Sequence, residues 1–287
     1  MRLQTLQLRD FRNFERLQIS LKPRVNFFVG ENGQGKTNLL EAVHLLSRGI
    51  SFRPADSHNF LKHSSFRAKL DGVFLKNELT FRVEMGIESG KKTALVNGKR
   101  ANAATLLKTF PTVLFSPESL AAIKEGPDQR RQLIDEILIS HDPKQGDLLR
   151  EHSKALRARN RLLRDISESK GSRIHLEGAL DSLNKIYFIL SAHLSQARTR
   201  ALKAITPEFE RAMNFISEGT VGEISVDYLI SGDSALHWSE SQIYDAHIER
   251  HKELGARELA FGASLVGPHK HDIKFLLSGN DSRFYSS

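Results

Sequence analysis

Apolar positions change their spacing twice along this chain, and the changes divide it into three stretches. Up to about residue 116 the spacing is mostly two, the period of half-buried strands. Leu3, Leu6 and Leu8 begin one strand, and Leu17, Ile19 and Leu21 alternate in a second. Val25-Asn26-Phe27-Phe28-Val29 reads as a short buried strand. Asn38 to Ser47 interrupts the series as a helix, with Leu39, Leu40, Val43 and Leu46 at helical spacing. Alternation resumes over Phe66 to Leu75 and Leu79 to Ile87, then Ala94-Leu95-Val96 meets an Asn97-Gly98 turn, so the helix leads into a strand meander. Thr112 to Phe115 predicts one more strand, stopped by Ser116-Pro117.

From 117 to 252 the period lengthens to three or four. Helices are predicted over Glu118 to Lys124, over Asp128 to Ser140 (Leu133, Ile134, Ile137, Leu138), over Gln145 to Ser169 and over Leu180 to Ile205. Pro207 suits the first position of a further helix, with Thr206 as its cap. Glu223 to Ile230 alternates like a strand, and Ser239 to Lys252 is helical again. The last stretch, 253 to 287, holds Gly267-Pro268 and a strand at Ile273 to Leu277. The expected class is α/β: a strand-rich stretch 1–116, a helical lobe 117–252, and a return toward the first stretch over 253–287.

The junction between the Val25–Val29 segment and the first helix carries the candidate chemistry. Gly30-Glu31-Asn32-Gly33-Gln34-Gly35-Lys36-Thr37 fits the phosphate-loop pattern G-x-x-x-x-G-K-[ST] at every fixed position, between a predicted strand and a predicted helix. The glycines let backbone N–H groups close on phosphate. The helix start adds unpaired N–H groups and the positive end of its dipole. Lys36 can reach the β- and γ-phosphates of a nucleotide, and the Thr37 hydroxyl can hold magnesium. ATP with magnesium is the implied ligand.

Charge adds a second theme. The formal net charge is +8, with a sequence pI near 9.7, which suits an anionic partner such as nucleic acid. From Lys144 to Arg173 nine basic residues face four acidic ones, and Arg150, Lys154, Arg157, Arg161 and Arg164 recur every three or four residues. They form one stripe on a helix, a candidate for tracking phosphates of DNA, with a solvated helix face as the alternative. The chain has no cysteine, which excludes disulfides and cysteine-bound zinc. No apolar run approaches the roughly 20 residues that span a bilayer. The alternating, charged N-terminus is not a secretory signal, so a cytoplasmic protein without membrane contact is expected.

Other patterns carry less. Leu133-Ile134-Asp135-Glu136 mimics an apolar strand ending in catalytic acids. Ile137 and Leu138 continue a helical period, however, which puts Asp135 and Glu136 on a wet helix face. His269, His271 and Asp272 make one short cluster without a second element and read as surface polar residues. Trp238 fits core or surface as well as it fits base-stacking.

Several motifs together resemble the bacterial RecF family over the whole chain. They are Arg9-Asp10-Phe11-Arg12-Asn13-Phe14 before the phosphate loop, and Phe115-Ser116-Pro117-Glu118 followed by Gly126-Pro127-Asp128-Gln129-Arg130-Arg131 and Leu133-Ile134-Asp135. Gly267-Pro268-His269-Lys270 lies near the end. His271 departs from the family, which often has Asp there. The resemblance implies an ABC-type ATPase head, related to SMC heads, with a helical second lobe. It also implies an ATP-dependent homodimer, binding to single-stranded or gapped duplex DNA, and work with RecO and RecR to load RecA in gap repair and the SOS response. The family's signature segment, Asp-Glu strand and switch histidine are expected beyond Tyr285-Ser286-Ser287. The chain is therefore expected to be the N-terminal part of a longer protein, with no catalytic residue assigned and hydrolysis deficient on its own. The competing class is another P-loop NTPase or a P-loop small-molecule kinase. Such a kinase alternates strands and helices after the loop, unlike the meander and helical arm read here.

Overall fold

The computed structural model describes residues 1–53, 57–115, 126–142, 144–219 and 222–282. The helix expected over Glu118 to Lys124 and the terminal Tyr285-Ser286-Ser287 lie outside these residues. Contacts divide the chain into two units, Met1–Leu114 and Phe115–Ser287. The described residues from 126 to 252 and from 253 to 282 fall in the same unit.

In the first unit β1 (Arg2–Phe11), β2 (Phe14–Ser20), β3 (Arg67–Lys76), β4 (Leu79–Glu88), β5 (Lys91–Val96) and β6 (Lys99–Ala101) form one antiparallel sheet. Its order is β2-β1-β3-β4-β5-β6. Alternation puts Leu6, Leu8, Leu70, Val83 and Met85 on one face, buried with Leu39, Ala42, Leu45 and Leu46 of helix α1 (Lys36–Arg48). Helix α2 (Ala103–Thr109), capped by the Asn102 side chain, adds Leu106. It was not read from the sequence because it is only seven residues long.

Two predicted strands of this unit are absent. Val25–Val29 carries no strand pairing, and Val25, Phe27 and Val29 are 62%, 85% and 94% exposed. Thr112–Phe115 is likewise irregular, with Val113 95% exposed. A strand needs a neighbour for its N–H and C=O groups. Among the described residues neither segment has one, so apolar content alone does not order them.

The second unit contains α3 (Pro127–His141), α4 (Gln145–Ser167), α5 (Arg173–Ile216) and α6 (Glu240–Phe261). It also contains a small antiparallel sheet in the order β10-β9-β7-β8, made of β7 (Ile224–Ile230), β8 (Asp233–Ser234), β9 (Asp272–Leu277) and β10 (Asn280–Asp281). Helix α6 runs through residue 252, and β9 pairs with β7, Tyr228 opposite Ile273. Pro207 begins no helix; it sits inside the 44-residue α5. An internal proline costs about 3 kcal/mol. Burial of Leu202 before it, and packing of Ile205 and Phe209 on either side against the same core, hold the helix together there.

Candidate nucleotide site

The phosphate loop forms as expected at its helical end. Gly35 caps α1 at φ 101°, and Gly33 sits at φ 83°. Only glycine fits at 35, because a Cβ there would lie 2.7 Å from both the Asn13 Nδ2 and Phe14 Cζ atoms. The Lys36 ammonium donates to the carbonyls of Gly30 and Glu31 at 2.6 and 2.7 Å, which draws the loop closed over its own mouth. An ammonium has three donors, and these carbonyls take two. Thr37 follows on the first turn of α1 and is exposed. Glu31, Asn32 and Gln34 also face solvent, so all eight predicted loop residues lie together.

Beneath the loop lies a polar network that sequence reading did not assign. Asn13 Nδ2 donates to the Gln34 carbonyl at 3.2 Å, and Asn38 Nδ2 donates to Asn13 Oδ1 at 2.8 Å. Arg53 then donates to Asn38 Oδ1 at 2.7 Å and pairs with Glu41. Glu41 is fully buried on α1 and is gripped by Arg12 through two bonds of 2.8 and 2.9 Å and by Ser51 at 2.6 Å. Burial alone would raise the Glu41 pKa, but the hydrogen bonds from Arg12, Ser51 and Arg53 outweigh it, and the carboxyl stays below its ordinary range. Arg12 reaches this position from a left-handed turn at φ 55°, with its guanidinium 5.1 Å from the Phe60 ring centroid. The Arg12-Asn13 pair was visible as part of a motif, yet only the β1–β2 hairpin brings it beside a loop 21 residues later.

The five basic residues proposed for DNA, Arg150, Lys154, Arg157, Arg161 and Arg164, are all exposed on one side of α4. Arg150 pairs with Asp147, and Arg161 lies 3.9 Å from Asp165. Arg159, counted in the same run, instead points inward and is fully buried. It donates to Glu258 at 2.7 and 2.9 Å and to Asn184 at 2.8 Å.

Two further expectations need correction. Asp135 is on a helix, as read, but not on its wet face: Arg198, nearly buried on α5, holds both its oxygens at 2.8 Å. The His269–Asp272 cluster is not surface polarity either. His271 is 3% exposed, with Nδ1 2.9 Å from the Tyr228 hydroxyl and Nε2 3.2 Å from His247 Nε2. Asp272 binds Arg130 at 2.9 and 3.0 Å. Charged residues are normally placed outside by composition. Here each has a partner on another element, which short-range patterns cannot reveal. Trp238 packs, partly buried, against the second unit's core.

Among the described residues no cluster of three or more His, Cys, Asp or Glu could hold a metal by itself. A magnesium held mainly by nucleotide phosphates and water needs only the Thr37 hydroxyl from this set, so the residues fit. No described helix is long and apolar enough to cross a membrane.

Comparison with known proteins places these features in one family. The RecF/RecN/SMC N-terminal domain model matches residues 2–280. The DNA replication and repair protein RecF of Heliobacterium modesticaldum is 34% identical over all of this chain and 76% of its own length. That of Acidothermus cellulolyticus is also 34% identical, with 78% of its length covered. A solved structure of the recombination mediator protein RecF with ATP, from the RecFOR pathway, superposes with a TM-score of 0.89 at 30% identity. The match covers 99% of this chain and 75% of that one.

Proposed function

This chain belongs to the RecF/RecN/SMC N-terminal domain family, among the RecF DNA replication and repair proteins, and on that premise we propose how its own residues serve that role. The loop 30–37 binds ATP. Backbone N–H groups of the loop and of the first turn of α1 take the phosphates, Lys36 supplies charge to the β- and γ-phosphates, and Thr37 holds magnesium. Magnesium held there would neutralise phosphate charge. The network Asn13–Asn38–Arg53–Glu41–Arg12 fixes the back of the loop, so that the site is already shaped when the nucleotide arrives. ATP in turn governs pairing of two copies on DNA, with RecO and RecR as partners, in the cytoplasm.

The observation that carries this reading is the loop itself: Gly35 wedged against Asn13 and Phe14, with the Lys36 ammonium drawn across the mouth. An antiparallel meander follows the loop helix, which does not suit a small-molecule kinase. DNA contact is assigned to the α4 stripe. Arg150 to Arg164 spans about 20 Å at 1.5 Å per residue, enough to meet several phosphates. Replacing Arg157, Arg161 and Arg164 by Gln should lower the slope of log affinity against log salt by about 2 to 3 units, equally for all sequences. Fluorescence anisotropy with gapped duplex and ATP measures it; an unchanged slope would remove the stripe from the DNA site.

A further inference from the structure

The outer face of the first unit's sheet breaks a rule of strand pairing. Arg9 on β1 stands directly opposite Arg16 on β2, and on its other side directly opposite Lys69 on β3. Residues so paired share one face, with Cβ atoms about 5 Å apart, and like charges there destabilise the sheet. All three side chains are exposed, and Arg67, two positions from Lys69 and opposite Glu88 on β4, lies on the same face. Lys69 lies 3.1 Å from Glu84. Neither Arg9 nor Arg16 has a carboxylate partner among the described residues. Elsewhere on this face Asp71 and Glu84 also stand opposite one another, but Arg82 answers both, at 2.5 and 3.7 Å.

The fold gains nothing from this row. The buried face of the same strands, Leu6, Leu8, Ala68 and Leu70, already supplies their packing. Local rules are broken without compensation chiefly where function requires it. The composition points the same way. Met1–Leu114 holds 19 Lys and Arg against 9 Asp and Glu, a net +10. Residues 115–287 hold 23 against 25, a net −2. The whole basic excess of the chain therefore belongs to the sheet unit, not to the helical unit that carries the α4 stripe.

We propose that the row Arg16–Arg9–Lys69, with Arg67, is a binding site for the phosphodiester backbone of DNA on the outer face of the six-stranded sheet. The inference rests on the DNA-binding reading above and gives it a second surface. Two strand steps of about 4.8 Å carry the row over about 10 Å. That equals the rise of about three nucleotides along one strand, at 3.4 Å each. The contacts are to phosphate, so they position DNA without reading its sequence.

The test uses the double variant Arg9→Gln with Arg16→Gln, which leaves the Lys69–Glu84 pair intact. Anisotropy with labelled duplex over a salt series, with ATP, compares it with wild type and with the α4 variant. The expected result is a salt slope smaller by about 2 units, the same for unrelated sequences, with a melting temperature equal to or above wild type because like-charge repulsion is relieved. A wild-type slope in the double variant would overturn the proposal while leaving the DNA reading in place. Failure of wild type to bind DNA at all would overturn both. A clearly lowered melting temperature would show that the arginines serve the fold, and would also overturn it.

Discussion

The two units use their charges in opposite ways. The first buries only Glu41, Arg48 and Asp71 among its carboxylates and guanidinium or ammonium groups with described burial, and wears most of its cations outside, at a net +10. The second is near neutral and takes its charges inward. Arg130, Arg131, Arg159 and Arg198 are all buried, opposite Asp272, Asp128, Glu258 and Asp135. Four histidines join them there. His152, His247, His269 and His271 all have depressed pKa values, first because burial disfavours the charged ring. Apolar packing tolerates adjustment, whereas a buried ion pair requires one geometry and is costly to break. The sheet unit is thus free to present charge to ligands, while the helical unit depends on internal pairing.

The sharpest way to break this contrast is Arg159→Met. Glu258 would be left buried without its main counter-charge, at a cost of about 3–5 kcal/mol, seen as a lower urea midpoint. The double variant Arg159→Met with Glu258→Leu should recover most of it. If the single variant cost under 1 kcal/mol, the buried pairs would not be what holds the second unit.

Acid should separate the units next. The folded-state pKa values of His152 and His247 are lowered to about 3 and about 4, while in the unfolded chain both stay near 6.5. Below pH 6.5 the unfolded state binds more protons, so stability falls as pH falls, down to about pH 4 for His247 and about pH 3 for His152. By pH 5 each histidine should have removed about 2 kcal/mol, at 1.36 kcal/mol per unit. His152 Nε2 and His247 Nδ1 are buried without partners among the described residues, so no acceptor awaits the added proton. Trp238 is the sole tryptophan and packs in this unit, so its fluorescence during urea unfolding from pH 7 to 5 reports the loss. A flat profile would contradict the burial of these rings. Glu258, held at about 2 by His251 and Arg159 against the upward push of burial, contributes stability above its unfolded value and loses it only below about pH 4.5.

On the sheet unit, Lys36→Ala should weaken ATP binding by about 1.5–3 kcal/mol in calorimetric titration. Its side chain bonds only exposed loop carbonyls, so the melting temperature should hardly move. Equal affinity would sink the nucleotide assignment. The smallest effect belongs to the exposed α4 stripe: Arg157→Gln should change stability by under about 0.5 kcal/mol. A larger loss would give this face a structural role.

Much of this was legible in advance where local rules suffice. Strands with strict alternation, such as Phe14–Ser20 and Ile224–Ile230, appeared close to their expected limits, as did the loop helix and the exposed side of α4. The phosphate loop was readable because its chemistry lies within eight consecutive residues. Its support was not: Asn13, Asn38, Arg53 and Glu41 meet only because a hairpin and two helical turns converge.

By itself the sequence determined the periodicities, the loop and the basic excess, since each depends on residue type and near-neighbour spacing. Tertiary structure alone decided which segments became strands, because Val25–Val29 is apolar enough but finds no pairing neighbour among the described residues. It also decided that α5 runs through Pro207, because flanking burial exceeds the cost of the proline. Likewise it decided which charges face water: Arg157 and Arg159 stand two residues apart on one helix, and only Arg159 meets a buried carboxylate 99 residues away.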